Sequence, residues 1–156
     1  MQAVQKNVKG EINDMSNESD GKKIEVSCAI IERDGLVLAA QRSETMSMPL
    51  KWEFPGGKMK EGEEPDTCLK RELMEEMGIT VIMKKMLPPL GHHYPDFTVT
   101  LYPFVCAIDA GEIVLHEHRA IAWMKFSELA SLDWVEADLP VVYAYRRSSK
   151  ILAHFQ

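Results

Sequence analysis

The segment of the chain that most restricts its fold is an acidic helix that lies between glycines. Residues 65–77 are predicted to be helical because Pro65 suits the first turn and Gly78 provides a C-terminal stop. Apolar residues follow at four-residue intervals and give the helix one core-facing side: Leu69, Leu73 and Met77. Just before the helix, residues 55–57 (Pro-Gly-Gly) predict a turn.

The same helix carries three closely spaced carboxylates. Glu72, Glu75 and Glu76 are three and four residues apart, so they share one face, where like charges destabilise a helix. One interpretation is a solvated acidic surface that nearby basic side chains balance. The other is a ligand set, completed by Glu63, for a hard cation such as Mg²⁺. The helix alone leaves both interpretations open.

The rest of the chain predicts a single α+β domain in which strands predominate. Strands are predicted where apolar and polar residues alternate, with a hairpin turn at Asp34-Gly35: residues 24–30, 36–40, 52–54, 79–86, 98–108 and 120–126. A short turn or helix is predicted at 127–132 and a terminal helix at 138–148. We expect a polar N-terminal tail over residues 1–22 and one domain over residues 23–156.

Composition excludes several classes of protein. The 18 basic and 24 acidic residues give a net charge of −6, and there is no basic stripe of the kind that binds a nucleic acid polymer. No apolar run approaches the roughly 18 residues of a membrane span, and no secretory signal is present. The three scattered cysteines cannot all pair, and we expect them to be small buried apolar residues of a protein in a reducing compartment, the cytoplasm.

Residues 57–79 resemble the signature of the Nudix hydrolases, G-x5-E-x7-R-E-U-x-E-E-x-G-U, in which U is a bulky aliphatic residue. Every position of the pattern is matched: Gly57, Glu63, Arg71, Glu72, Leu73, Glu75, Glu76, Gly78 and Ile79. The resemblance implies the Nudix fold, a mixed β-sheet sandwiched between helices (α/β/α). It also implies hydrolysis of a phosphoanhydride with Mg²⁺, for which Mn²⁺ can substitute.

The resemblance implies a role for each matched residue. The carbonyl of Gly57 and a set of carboxylates are implied metal ligands: Glu72, Glu75, Glu76 and, from a later loop, Glu117. Arg71 is expected to orient Glu63 or Glu72 through a bidentate pair. Either Glu72 or Glu117 is the implied general base. The histidines at 116 and 118 are expected at the surface or just behind the site, rather than as zinc ligands.

Within the family, residues 23–147 most resemble the MutT-like branch, which comprises 8-oxo-dGTP diphosphatases and CTP pyrophosphohydrolases. Lys58 is expected to face the phosphates, and Arg42 is expected either to reach a phosphate or to lie at the surface. Phe54 is expected either to stack on a base or to lie in the core. Asp138 is expected either to contact the base or to cap the terminal helix. The bacterial 8-oxo-dGTP diphosphatases of that branch carry asparagine at the matching position, so aspartate is a departure.

The expected reaction is the conversion of a nucleoside triphosphate, such as 8-oxo-dGTP, CTP or 5-methyl-dCTP, to a monophosphate and pyrophosphate. Two alternatives stay open: a pyrophosphatase for ADP-ribose or another nucleoside diphosphate derivative, and a nucleotide-binding module without catalysis. The expected partner is a small-molecule nucleotide, with no nucleic acid polymer and no membrane. The chain is expected to be a monomer or a homodimer.

Overall fold

One long strand organises the computed structural model, which describes the backbone of residues 21–154 and the side chains of residues 21–149. Strand β1 (Lys23–Arg33) pairs in parallel with β7 (Phe97–Ala110) and antiparallel with β2 (Leu36–Gln41). The hairpin between β1 and β2 turns at Asp34 and Gly35, both with positive φ, as the sequence predicts. Of the predicted N-terminal tail, residues 1–20 lie outside the described part.

The remaining strands extend this sheet in both directions. The strand order is β3-β2-β1-β7-β5, while β4 pairs with β1, β6 with β7, and β8 with β2. Their bounds are β3 (Trp52–Glu53), β4 (Gly56–Lys58), β5 (Thr80–Met86), β6 (Leu90–Tyr94) and β8 (Ala120–Lys125). The parallel pairing of β1 with β7 makes the sheet mixed.

Two helices cover opposite faces of the sheet. Successive side chains of a strand point to opposite faces, and β1 accordingly contributes Ile30 to one apolar cluster and Ile31 to the other. Helix α1 (Pro65–Met77) packs on the Ile31 side, and helix α2 (Leu139–His154) packs on the Ile30 side. The structure therefore confirms the predicted α+β fold with its sheet between helices. None of the helices in residues 21–154 is long and apolar enough to cross a bilayer.

The helix predictions are confirmed with small changes at the ends. Helix α1 has the predicted bounds, and Gly78 ends it with φ 71°. Helix α2 begins one residue later than predicted and continues to His154. A 3₁₀ helix occupies Phe126–Ser131, and a second covers Glu136–Asp138.

Two strands differ from the sequence-based prediction. Gly56 and Gly57, predicted as part of a turn, belong to β4 and pair with Ser27 and Cys28 of β1. A Cβ at Gly56 would overlap the carbonyl oxygen of Ser27, so only glycine allows this approach. Strand β6 was not predicted, because its sequence (Leu-Gly-His-His-Tyr) lacks a clear apolar alternation.

Candidate active site

Strand β4 brings the backbone of Gly57 against helix α1. A Cβ at position 57 would overlap the side chain of Glu72, and the Sγ of Cys68 donates a hydrogen bond to the Gly57 carbonyl at 3.4 Å. Burial raises the pKa of the Cys68 thiol to about 11, so this group stays protonated and acts as a donor. The glycine loop and the acidic helix therefore form one surface.

Arg71 fixes two carboxylates on this surface. Its Nε and one terminal nitrogen donate to the two oxygens of Glu63 at 2.8 and 2.9 Å, and its other terminal nitrogen donates to Glu72 at 2.6 Å. The hydrogen bonds from Arg71 and from the backbone N–H of Lys60 lower the pKa of Glu63 to about 2. Both orienting contacts that the sequence offered as alternatives are therefore present.

Glu76 is the least favourably placed carboxylate of the helix. Its residue is only 5% exposed, and its Oε1 has no hydrogen-bond partner among residues 21–149. Burial raises its pKa well above the usual range, and the carboxylates of Glu117, Glu53 and Glu72 raise it further. Such a group destabilises the protein unless a proton or a cation compensates it.

Glu117 lies in the loop between β7 and β8 and faces the helix carboxylates. Burial raises its pKa, as do the carboxylates of Glu72, Glu53 and Glu75, whereas His118 lowers it. The tertiary structure thus brings together the helix residues and the loop residue that the sequence named separately. Glu75 is the most exposed of the helix carboxylates and lies 3.5 Å from Arg71.

This arrangement fits a divalent cation. A buried carboxylate oxygen without a partner, surrounded by further carboxylates, matches the preference of hard cations for oxygen ligands. In this conformation, no three acidic, histidine or cysteine side chains of the described residues are placed so that they could hold a metal ion together. One reason is that Arg71 holds an oxygen of Glu72. The cluster therefore supplies carboxylate oxygens of the kind that a divalent cation binds.

The structure corrects the predicted contact between Arg42 and a phosphate. The Arg42 side chain is only 1% exposed, so in this conformation it neither lies at the surface nor can contact a phosphate. It donates to Oε1 of Glu53 at 3.0 Å and to the carbonyl and hydroxyl oxygens of Ser47 at 2.7 and 3.1 Å. A buried guanidinium needs hydrogen-bond acceptors because it has lost its water, and Glu53 and Ser47 provide them in the interior.

Phe54 also belongs to the core rather than to an open base pocket. It is fully buried, and its ring lies 4.7 Å from that of Trp134. Its backbone N–H donates to Oδ2 of Asp138 at 2.8 Å, and Asp138 is likewise fully buried. In this conformation Asp138 ties the start of α2 to the residue before Pro55, so a contact with a base would require α2 to move. Lys58 is partly exposed at the end of β4, and its predicted phosphate contact stays a prediction.

Sequence reasoning missed the pairing of Glu53 with His118. Their side chains are 4% and 2% exposed, and Nε2 of His118 lies 2.8 Å from Oε2 of Glu53. The two residues are 65 positions apart, so no local pattern connects them. The available signal was their position, since Glu53 precedes the Pro-Gly-Gly segment and His118 follows Glu117. His116, on the other side of Glu117, is exposed as expected.

Comparison with known proteins agrees with this geometry. The CTP pyrophosphohydrolase of Escherichia coli (strain K12) is 34% identical over 124 residues, which are 80% of this chain and 92% of that protein. The 8-oxo-dGTP diphosphatase of the same organism is 32% identical over 127 residues, covering 81% of this chain and 98% of that protein.

A solved structure extends the similarity to three dimensions. The solution structure of the MutT protein from methicillin-resistant Staphylococcus aureus 252, described as a Nudix hydrolase, superposes with a TM-score of 0.67 and 39% identity. The match covers 81% of this chain and 98% of that one. The family model described as the NUDIX domain matches residues 21–145. The chain therefore belongs to the Nudix family and is a hydrolase of the MutT-like type.

Proposed function

We propose that the protein hydrolyses a nucleoside triphosphate to the nucleoside monophosphate and pyrophosphate in the presence of Mg²⁺. The observation that carries the proposal is Glu76, a buried carboxylate with an oxygen that lacks a partner, beside Glu72 and Glu117. A triphosphate and a carboxylate cluster repel each other, so they meet only when cations lie between them. The names of the bacterial relatives, a CTP pyrophosphohydrolase and an 8-oxo-dGTP diphosphatase, support the same substrate class.

In this proposal Mg²⁺ is held by the Gly57 carbonyl and by four carboxylates, Glu72, Glu75, Glu76 and Glu117. When bound, the cation neutralises phosphate charge and lowers the pKa of the attacking water. Mn²⁺ has the same preference for oxygen ligands and should substitute. Coordination would also give a partner to Oε1 of Glu76, for which residues 21–149 provide no hydrogen bond.

The other residues of the site position the carboxylates and the substrate, and one carboxylate accepts a proton from the attacking water. Arg71 holds Glu63 and Glu72 in place, so the helix face keeps its geometry when substrate arrives. Lys58 faces the phosphates from β4. A water oxygen bonds to the β-phosphorus, the bond from that phosphorus to the oxygen bridging to the α-phosphate breaks, and the monophosphate leaves. Glu72 or Glu117 accepts the proton of the water.

The proposed base is cytosine or oxidised guanine. Asp138 is buried beside Phe54 in this conformation, and it would select the base after α2 moves to admit it. An ionised carboxylate accepts hydrogen bonds only, so it favours a base that presents a donor to it, such as the exocyclic amine of cytosine, over uracil, which presents the acceptor O4 at that position. Cys28, Cys68 and Cys106 are buried and form no disulfide, which supports a reducing compartment, and we propose the cytoplasm. We also propose that the chain acts as a monomer or a homodimer.

A substrate panel tests the proposal. Pyrophosphate release is measured with Mg²⁺ for CTP, dCTP, 5-methyl-dCTP, 8-oxo-dGTP, UTP and ADP-ribose, with the Glu76→Gln variant as the inactive control and Glu128→Gln, an exposed carboxylate, as the active one. In H₂¹⁸O the label should enter pyrophosphate and not the monophosphate. Hydrolysis of ADP-ribose alone, or label in the monophosphate, would refute the proposal.

A further inference from the structure

The loop that carries Glu117 is attached to helix α1 through its backbone. The N–H groups of Val114 and His116 donate to the carbonyls of Met77 and Glu76 at 3.0 and 3.2 Å. The last carbonyls of an α-helix have no partner within the helix, so the loop satisfies groups that would otherwise need water. Beyond Glu117, the N–H of Arg119 donates to the carbonyl of Gln41 at 2.9 Å.

The side chain of His118 attaches the same loop to the interior. Its Nε2 lies 2.8 Å from one oxygen of Glu53, whose other oxygen accepts from Arg42 at 3.0 Å. Because an ionised carboxylate only accepts, Nε2 of His118 carries the hydrogen of this contact. Arg42 is held in turn by Ser47, so the chain Arg42–Glu53–His118 is buried and hydrogen-bonded along its length.

Glu117 needs such an anchor because its neighbours repel it. It is an exposed loop residue, and the charged side chains near it include the carboxylates of Glu72, Glu75 and Glu53. Without a restraint, an exposed carboxylate among like charges lowers its energy by turning toward water. His118 directly follows Glu117 in the chain and is fixed in the interior, so the backbone of Glu117 cannot move outward unless the buried chain breaks.

We infer that His118 is a positioning residue that, through its buried hydrogen bond to Glu53, holds Glu117 at the metal-binding carboxylates. The inference rests on the proposed function, since it assumes that Glu117 binds the cation. Hydrogen-bonded residues behind metal ligands typically contribute 10–100-fold to metal affinity. We therefore expect His118 to affect metal binding more than the chemical step.

The test measures Mn²⁺ binding without substrate by electron paramagnetic resonance, together with kcat and the Mg²⁺ concentration at half-maximal rate. His118→Leu should weaken Mn²⁺ binding about tenfold or more, while kcat at saturating Mg²⁺ changes less. His118→Gln, whose amide can still donate to Glu53, should restore the affinity to within about threefold.

The matched control is His116→Leu, an exposed histidine of the same loop, which should bind Mn²⁺ like the wild type. If the leucine variant does not fold, His118→Asn replaces it, because the shorter amide does not reach Glu53.

A double-mutant cycle separates positioning from general stability. In the Glu117→Gln background, His118→Leu should change Mn²⁺ affinity less than about twofold, because its effect passes through Glu117. An equal loss in both backgrounds, or wild-type affinity in His118→Leu, overturns the inference. If Glu76→Gln and Glu117→Gln also bind Mn²⁺ normally, the proposed function fails as well. If those two lose affinity while His118→Leu does not, only the inference fails.

Discussion

Replacing Glu76 by glutamine should stabilise the metal-free protein while removing most of its activity. Glu76 is 5% exposed, and its Oε1 has no hydrogen-bond partner within residues 21–149. Burial, followed by the carboxylates of Glu117 and Glu53, raises its pKa. The ionised side chain of Glu76 therefore lowers the free energy of unfolding when no cation is bound, and a role in cation binding would explain why a glutamate is present there.

The sign and size of the effect follow from proton binding. An acid whose pKa is higher in the folded protein binds more protons there than in the unfolded chain, so the free energy of unfolding falls as pH rises above about 4.5. Glutamine removes the charge, and its amide can donate to Glu72, which the carboxyl of Glu76 already contacts. A buried polar group without a partner costs about 1–3 kcal/mol, which for this chain length is roughly 2–10 °C in Tm.

The difference in Tm between Glu76→Gln and the wild type is measured by thermal unfolding in EDTA, monitored by circular dichroism at pH 5 and pH 8. The gain in Tm of Glu76→Gln should be small at pH 5 and largest at pH 8. Added Mg²⁺ should raise the Tm of the wild type only, and turnover of the variant should fall by about two orders of magnitude or more. Equal gains at both pH values would show that the charge of Glu76 is not their source. Near-wild-type turnover at saturating Mg²⁺ would refute its role as a ligand.

Three further substitutions probe other parts of the site. Asp138→Asn keeps an oxygen for the backbone N–H that the carboxylate now accepts but adds a donor, so the kcat/KM ratio of CTP to UTP should fall about tenfold; an unchanged ratio would leave Asp138 a purely structural role. Glu63→Gln removes the ion pair with Arg71, which lowers the pKa of Glu63 to about 2. The variant should therefore have a lower free energy of urea unfolding than the wild type, with the full difference above pH 4.5 and none as pH falls toward 2. Gly57→Ala adds a methyl group that overlaps the Glu72 side chain and should lower kcat about 100-fold. Gly91→Ala, in β6, adds a Cβ whose nearest neighbour is 3.9 Å away and should not lower kcat.

Helix bounds and turns were predictable from the sequence because they depend on residues that are close together along the chain. The bounds of α1 follow from Pro65, Gly78 and the apolar spacing between them, and the hairpin follows from Asp34-Gly35. The same local spacing places three carboxylates on one helix face. The family resemblance adds Glu117, which spacing alone does not connect to that face.

Burial and long-range pairing were decided only by the tertiary structure. A sequence does not state whether an arginine or a phenylalanine faces solvent. Arg42 and Phe54 lie inside, where Ser47 and Glu53 accept hydrogen bonds from the guanidinium and Trp134 packs against the phenyl ring. The contact between Glu53 and His118 joins residues 65 positions apart, and it forms because β2, which pairs with both β3 and β8, brings the two segments together. Chain periodicity determines which residues share an element, whereas desolvation and like-charge repulsion, which set the chemistry of Glu76 and Glu117, arise only when separate elements pack.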